Sequence, residues 1–247
     1  MAVIGVLMSL VMPALGYARV TARVTQCTGN LRNIGQGWQM YAEDFRDYAM
    51  PQVWFGSPSV YWWGANANPA DYTVGLLAPY LGQEAGLDNV FDCPEQPWGS
   101  YIPQGTARGP TTTYGYNGLY FAPPASGWFP GTLPPGCNAR WKQMGEVEGA
   151  SQVFAFADTG LDWSNAGTVS NNCFLDGPMV PWGSRWGQNR YPTLRFRHHG
   201  RAVVTFADGH VEAIAKGRAR ITSTASDIGY VGESLAPHYV PDWDEWF

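Results

Sequence analysis

The sequence is poor in charged residues. Only 14% of its 247 residues are charged, against roughly 25% in ordinary soluble domains. The net charge of −5 argues against a nucleic-acid-binding protein, which needs a basic face, and the low charge excludes a highly charged disordered chain. Aromatic residues are instead abundant, at 15%, together with 30 Gly and 19 Pro. We therefore expect many loops, and aromatic rings that pack against one another or against other molecules.

The sequence has no Cys-x-x-Cys pair, which excludes a zinc ribbon and a thioredoxin-like motif. Its four cysteines are widely spaced, a pattern typical of an exported, oxidised protein, and buried free thiols fit it as well. Three pairings are possible for four cysteines, and the sequence alone does not choose among them. Our prediction is that Cys27–Cys93 joins an N-terminal helix to the body and that Cys137–Cys173 connects two long loops.

The uncharged, apolar segment Ala2–Leu15 is short for a membrane span. A helix of this length measures roughly 21 Å, less than the ~30 Å core of a bilayer. No basic residue precedes the segment and no clear cleavage site follows it, so it does not fit a secretory signal peptide. We interpret it as the end of a longer membrane helix whose beginning would precede Met1. Its predicted assembly residues are Val3, Ile4, Val6, Leu7, Leu10, Val11 and Leu15.

The next segment carries one apolar stripe at helical spacing. Its residues recur at alternating steps of four and three, which predicts an amphipathic helix that continues the apolar segment from Ala2 to about Asp47. Three glycines, at positions 29, 35 and 37, each lower helix propensity by about 1 kcal/mol and are tolerable where another part of the chain packs closely. The residues predicted to pack this helix on the body are Val20, Val24, Leu31, Ile34, Trp38, Tyr41 and Phe45.

The rest of the chain, residues 51–247, predicts a loop-rich β domain that follows a helical region at residues 1–50. Short alternating runs at Val153–Ala157, Arg201–Ala207 and His210–Ile214 are strand-like, and Asp208-Gly209 between the last two predicts a hairpin. A short helix over Thr73–Leu81 and a strand over Thr111–Leu119 are also expected. The predicted fold is α+β, with the long N-terminal helix covering one face of a small antiparallel β-sheet.

Several motifs together resemble type IV pilin-like and type II secretion pseudopilin-like proteins, and most closely a group found in planctomycete- and verrucomicrobia-like bacteria. The N-terminal part of the resemblance is the apolar start, Cys27 and the Asn30–Gly35 run. The later part is Cys93-Pro94, Tyr114–Asn117, Ala157-Asp158, and a His-x9-Asp-Gly motif formed by His198, Asp208 and Gly209. The family's leader, which ends in Gly and is followed by an aromatic residue and Glu, is not seen in this sequence.

The resemblance implies an exported, non-enzymatic structural subunit. Such a chain would lie in the inner membrane before assembly and then form a homo-oligomeric helical filament, either a cell-surface or extracellular pilus or a periplasmic pseudopilus. No cofactor would be required and no nucleic acid bound. In physical terms, helices that pack at the filament centre would bury apolar surface through heterologous contacts that do not close into a ring.

Two polar clusters are candidate sites. The favoured interpretation of the cluster around the His-x9-Asp-Gly motif is structural, with Asp208-Gly209 forming a turn and His198 pairing with Asp208 to fix the hairpin; a zinc site and acid–base chemistry are the alternatives. The loop that contains Asp158, Asp162, Ser164 and Asn165 is rich in oxygen ligands of the kind that Ca²⁺ prefers, although an Asx turn accounts for it more simply.

No nucleophile elbow, phosphate-binding glycine loop or His-Glu-x-x-His motif is present, so we expect no enzymatic activity. The 12 Trp residues leave one alternative function open. A surface-anchored carbohydrate-binding module would expose several of them on a flat face, whereas core packing and subunit contacts are the simpler explanation.

Overall fold

The computed structural model describes residues 2–65, 70–82, 90–96, 101–102, 112–123, 140–164, 167–182, 185–216 and 219–242. Its helices are α1 (Ala2–Asp44), α2 (Ala78–Leu81) and α3 (Gly118–Phe121), with a 3-10 turn at Met144–Glu146. Its strands are β1 (Val53–Trp54), β2 (Val60–Tyr61), β3 (Tyr101–Ile102), β4 (Tyr114–Tyr116), β5 (Phe154–Asp158), β6 (Val169–Ser170), β7 (Met179–Trp182), β8 (Arg185–Gln188), β9 (Leu194–Arg195), β10 (Arg201–Phe206), β11 (Val211–Ala215), β12 (Ala219–Ser223) and β13 (Ile228–Val231). This arrangement confirms the predicted α+β class.

Helix α1 is a single element of 43 residues that continues through Pro13. It ends slightly before the predicted boundary because Arg46 and Asp47 adopt left-handed backbone conformations, with φ of 59° and 68°, which turn the chain back towards the body. Within the ranges that the structure describes, no helix combines the length and the apolar character needed to cross a membrane.

Four antiparallel strands in the order β11-β10-β5-β4 form the central sheet. Strands β10 and β11 are the predicted hairpin, with Thr205 paired to Val211 across the turn. Gly209 occupies this turn with φ of 90°, a conformation that favours glycine. A three-stranded sheet, β12-β13-β9, and three two-stranded pairs complete the body, and of these pairs only β3-β6 is parallel among the described strands.

The C-terminal half of α1 packs on the central sheet. Leu31, Ile34 and Trp38 are fully buried, and Thr205 of β10 donates a hydrogen bond from its hydroxyl to the Leu31 carbonyl at 3.0 Å. The Trp38 ring meets three other aromatic rings edge to face, with centroid distances from 4.9 to 5.9 Å. The core beneath the helix is therefore largely aromatic, in line with the composition.

Three sequence predictions need correction. Phe45 does not pack on the body: it is 52% exposed and stacks on Tyr41, because it lies beyond the helix end. The helix expected over Thr73–Leu81 is confined to α2, and the strand expected over Thr111–Leu119 is reduced to β4, since the chain turns into α3 at Gly118. Of the other predicted packing residues, Tyr41 is buried, whereas Val20 and Val24 are only half-buried near the point where α1 leaves the body.

Candidate functional site

A disulfide between Cys27 and Cys93 attaches α1 to the body, as predicted. The two Cα atoms are 5.3 Å apart, and both residues are buried. The second predicted disulfide is not supported, because Cys173 is a buried free thiol. Its predicted partner, Cys137, lies outside the described residues.

A buried Asp–His pair lies directly beside this disulfide. His198 Nε2 is 3.1 Å from Asp158 Oδ2 and 3.5 Å from Cys93 Sγ. The backbone N–H of Val203 donates to the same Asp158 oxygen at 2.7 Å, and Arg197 Nε lies 3.7 Å from the other oxygen. All three charged or titratable side chains are almost completely excluded from solvent. A carboxylate in such a place requires paired charges and donors, and here it has both.

Local structure explains how these residues meet. Asp158 is the last residue of β5. His198 begins a tight turn into β10, in which His199 and Gly200 both have positive φ and His198 and Arg201 exchange backbone hydrogen bonds. Cys93 is fixed by its backbone N–H, which donates to the Thr113 hydroxyl at 2.7 Å. Because β5 and β10 are neighbours in the sheet, their ends bring Asp158 and His198 together.

Tyr114 closes the cluster from the β4 side. Its hydroxyl donates to Cys27 Sγ at 3.2 Å, and Asn30 of α1 donates to that hydroxyl at 3.4 Å. Burial, together with the nearby charge of Asp158, raises the pKa of Tyr114 well above its ordinary value. The phenol is therefore a neutral hydrogen-bonding group that links the helix to the sheet.

The other feature with functional potential is the N-terminal half of α1, which leaves the body. Residues 11–19 are all exposed, including Val11 at 50%, Met12 at 70%, Leu15 at 53% and Tyr17 at 77%. Of the predicted assembly residues, Val3, Ile4, Val6, Leu7 and Leu10 lie in the same helix, but only their backbone is described. Several large, exposed apolar side chains within one helical segment are unusual on a monomer and typical of an interaction surface.

Comparison of the sequence with known protein families gives a match to one of them. A sequence model described as "Protein of unknown function (DUF1559)" matches residues 17–150, more than half of the chain. The chain belongs to the DUF1559 family. The DUF1559 match contains both cysteines of the disulfide and Tyr114, whereas Asp158 and His198 lie beyond it. No curated protein and no solved structure gives a significant match.

In this DUF1559 protein the predicted pairing of His198 with Asp208 is wrong. The two residues lie at opposite ends of β10, and a six-residue strand is about 20 Å long. Asp208 instead accepts hydrogen bonds from the backbone and the ring of His210, the latter at 2.6 Å. The His-x9-Asp-Gly motif is thus one strand flanked by two turns, with His198 facing the disulfide and Gly209 in the hairpin turn.

The predicted calcium ligands of the DUF1559 chain do not share one site. Asp158 belongs to the cluster beside the disulfide. Asp162 uses one carboxylate oxygen to accept hydrogen bonds from Ser223, Ser226 and the backbone of Gly167, at 2.7 to 3.0 Å. Ser164 contacts the other oxygen at 3.4 Å, and Asn165 lies outside the described residues. These hydrogen bonds hold the Asp162 loop in place. They agree with the simpler interpretation, in which the oxygen-rich loop is an Asx-type turn and not a calcium site.

Sequence reasoning missed the convergence of Cys27, Cys93, Asp158 and His198. One ligand atom from each of these four residues lies within 4.8 Å of all the others. Asp158 Oδ1 and His198 Nδ1 have no hydrogen-bond partner in the described part of the chain. The available signal was the set of separate motifs that carried the pilin resemblance, since Cys93-Pro94, Ala157-Asp158 and the motif histidine each contribute one member.

Proposed function

We propose that the protein is a non-enzymatic structural subunit of an exported pilus-like filament or pseudopilus, assembled through α1. The observation that carries the proposal is the division of this one helix. From Cys27 to Ala42 it contributes buried side chains to the body, whereas residues 11–19 stand exposed and include several large apolar side chains. Such a helix can pack its exposed half against the same helix of other copies.

The energetics favour assembly through this segment. Burial of apolar surface stabilises a contact by about 25 cal/mol for each Å² removed from water. Burial of the exposed valine, methionine, leucine and tyrosine side chains of this segment would therefore supply a substantial driving force. The contact would be heterologous, because the exposed half of one helix meets a different part of the next. Repetition of that contact gives an open helical polymer. The resemblance to pilin-like and pseudopilin-like proteins supports an extracellular or periplasmic location for the proposed polymer.

The test compares the chain with a variant that places a charge within the exposed apolar segment. In Leu15→Glu a charge replaces an exposed leucine, whereas in Gln36→Glu the same charge is placed at an exposed position on the packed half of the helix. We expect the chain and Gln36→Glu to form filaments in electron micrographs and to sediment as polymers, and Leu15→Glu to remain dispersed with its circular dichroism unchanged. Monodisperse monomer from the unaltered chain, or filaments from Leu15→Glu, would contradict the proposal.

A second candidate function, carbohydrate binding, is favoured by one surface feature. Trp163 is 60% exposed and lies beside Tyr191, with ring centroids 5.2 Å apart. Three other tryptophans, Trp38, Trp62 and Trp63, belong to the core and have no such role. Glycan-array binding that is lost in Trp163→Ala and kept in Trp54→Ala, a variant of another exposed tryptophan, would support this function. No glycan binding by the chain would exclude it.

A further inference from the structure

We infer that Cys27, Cys93, Asp158 and His198 form a zinc site when the disulfide is reduced. The inference goes beyond the filament proposal and does not depend on it. The four side chains are buried, and one ligand atom from each lies within 4.8 Å of the rest. Two thiolates, one imidazole and one carboxylate are the ligand types that zinc takes in tetrahedral sites.

The distances from His198 to two of the other ligands already agree with such a site. Zinc bonds of about 2.0 Å to nitrogen and oxygen and about 2.3 Å to sulfur place neighbouring nitrogen and sulfur ligands about 3.5 Å apart, and nitrogen and oxygen about 3.3 Å apart. The observed distances from His198 Nε2 are 3.5 Å to Cys93 Sγ and 3.1 Å to Asp158 Oδ2. The two sulfurs would have to separate from about 2 Å to about 3.8 Å, which reduction of the disulfide allows.

The surrounding groups also suit a bound cation. Asp158 Oδ1 is buried and has no hydrogen-bond partner among the described residues, so the carboxylate has coordination capacity that the protein leaves unused. Two thiolates and one carboxylate carry three negative charges, and Zn²⁺ supplies two positive ones. Arg197, whose Nε is 3.7 Å from Asp158 Oδ1, balances the remaining negative charge. The Val203 N–H fixes the orientation of the carboxylate from outside the ligand set.

The chemistry is a two-electron exchange. A dithiol reductant breaks the Cys27–Cys93 bond, becomes a disulfide itself and leaves two thiols on the protein; binding of Zn²⁺ then releases both thiol protons. Oxidation by a disulfide compound reverses the step, re-forming the bond and releasing the zinc. In both states α1 remains attached to the body at the same point, by a covalent bond in one state and by a metal in the other.

The experiment uses Co²⁺ as a spectroscopic probe, followed by Zn²⁺. The full chain is reduced with a phosphine under anaerobic conditions, and Co²⁺ is added to the folded protein. We expect one Co²⁺ per chain, a thiolate-to-cobalt charge-transfer band and a tetrahedral visible spectrum, all lost when Zn²⁺ displaces the probe. The oxidised chain should give none of these signals.

Matched variants separate this site from adventitious binding. Cys93→Ser removes one of the two thiolates and should weaken the charge-transfer band by about half or more, and Cys27→Ser/Cys93→Ser should abolish it. Cys173→Ser, which removes the buried free thiol, should leave the band unchanged. His198→Asn should weaken cobalt binding by at least about tenfold, and His210→Asn, at an exposed histidine, should not. A folded, reduced chain without the thiolate band, or equal binding by Cys93→Ser, would overturn the inference. If reduction unfolds the chain, failure of Zn²⁺ to restore its circular dichroism would overturn it equally.

Discussion

Asp92 is a carboxylate in an unfavourable position beside the disulfide. Its Oδ1 atom is buried and has no hydrogen-bond partner among the described residues. Burial raises the pKa of Asp92 to about 7, although the charge of Arg197 acts in the opposite direction. Ionised Asp92 therefore destabilises the folded state, because the free-energy cost of desolvating its carboxylate exceeds the stabilisation that the charge of Arg197 supplies.

The first prediction concerns the pH dependence that follows. Because the folded-state pKa of Asp92 lies above its ordinary value of 3.8, its contribution to stability is fully present below about pH 4 and is lost as the pH rises to about 7. At pH 8, Asp92→Asn should raise the free energy of unfolding by about 1–3 kcal/mol over that of the unaltered chain, and at pH 4 by much less. Urea unfolding at the two pH values measures the difference. Glu148→Gln, at an exposed carboxylate, is the control, and an equal effect of Asp92→Asn at both pH values would contradict the argument.

A second prediction at this scale concerns Asp162. Its Oδ2 atom accepts hydrogen bonds from two serine hydroxyls and one backbone N–H, so Asp162→Ala should lower the free energy of unfolding by about 2–4 kcal/mol. Ser164→Ala removes only a 3.4 Å contact to the other oxygen and should cost less. Because three donors occupy this carboxylate oxygen, we expect Ca²⁺ and EGTA to leave the melting temperature unchanged; a rise in melting temperature with Ca²⁺ would favour the calcium interpretation instead.

Single residues were predictable where the signal is local. The Asp208-Gly209 turn follows from two adjacent residues, and Cys27 was predicted to join the helix to the body. The Asp158–His198 contact was not predictable in this way, because it depends on which strands are neighbours in the sheet. Forty residues separate the two along the chain, and no local pattern carries that information.

At the scale of elements, the glycines of α1 show how the helix and the sheet fit. A Cβ atom added at Gly35 would lie 2.8 Å from Thr205 Cγ2, whereas one added at Gly29 would meet nothing within 4 Å. The Thr205 side chain cannot readily move, since it is buried, β-branched and hydrogen-bonded to the Leu31 carbonyl. The absence of a side chain at position 35 therefore lets α1 approach β10 closely.

Alanine substitutions at Gly29 and Gly35 should change the free energy of unfolding in opposite directions. Gly29→Ala should stabilise the protein by up to about 1 kcal/mol, because alanine has the higher helix propensity and no neighbour obstructs it. Gly35→Ala should destabilise the protein by about 1–3 kcal/mol, because overpacking against Thr205 outweighs the same gain in propensity. Thermal or urea unfolding of the two variants measures both effects. Stabilisation by Gly35→Ala would contradict this prediction, because α1 could then move away from Thr205 of β10 without loss of stability.

The helix was the most predictable element, and the strands were the least. Seven apolar residues at helical spacing defined the packed face of α1. The prediction was wrong at Phe45, where two left-handed residues follow the helix end, and Val20 and Val24 are only half-buried. The hairpin of β10 and β11 was found because its turn is specific. Pairs such as β1-β2 and β7-β8 were missed, since a strand of two to four residues is too short to show an alternating pattern.

On the scale of the whole molecule, the chain combines a loop-rich body with a helix that extends from it. The body is held together by an aromatic core and the central sheet, while α1 is fixed at Cys27 and over the packed residues that follow it. In the proposed filament, the exposed segment of α1 would pack against other copies without disturbing the body. A subunit of a filament needs this combination, because pulling on the helix must not unfold the domain to which it belongs.

The disulfide should therefore contribute strongly to the stability of the whole chain. It joins residues 66 apart in sequence, and cross-linking a loop of that length is worth about 4 kcal/mol through the unfolded state. We expect Cys27→Ser/Cys93→Ser to unfold at lower urea concentration than the unaltered chain, and reduction in the presence of a metal chelator to lower the midpoint of the unaltered chain similarly. Cys173→Ser controls for the loss of a buried thiol that forms no cross-link. Should reduction leave the urea midpoint unchanged in the presence of the chelator, the packing of α1 on the central sheet alone would hold the helix to the body, and the disulfide would not be needed for that attachment.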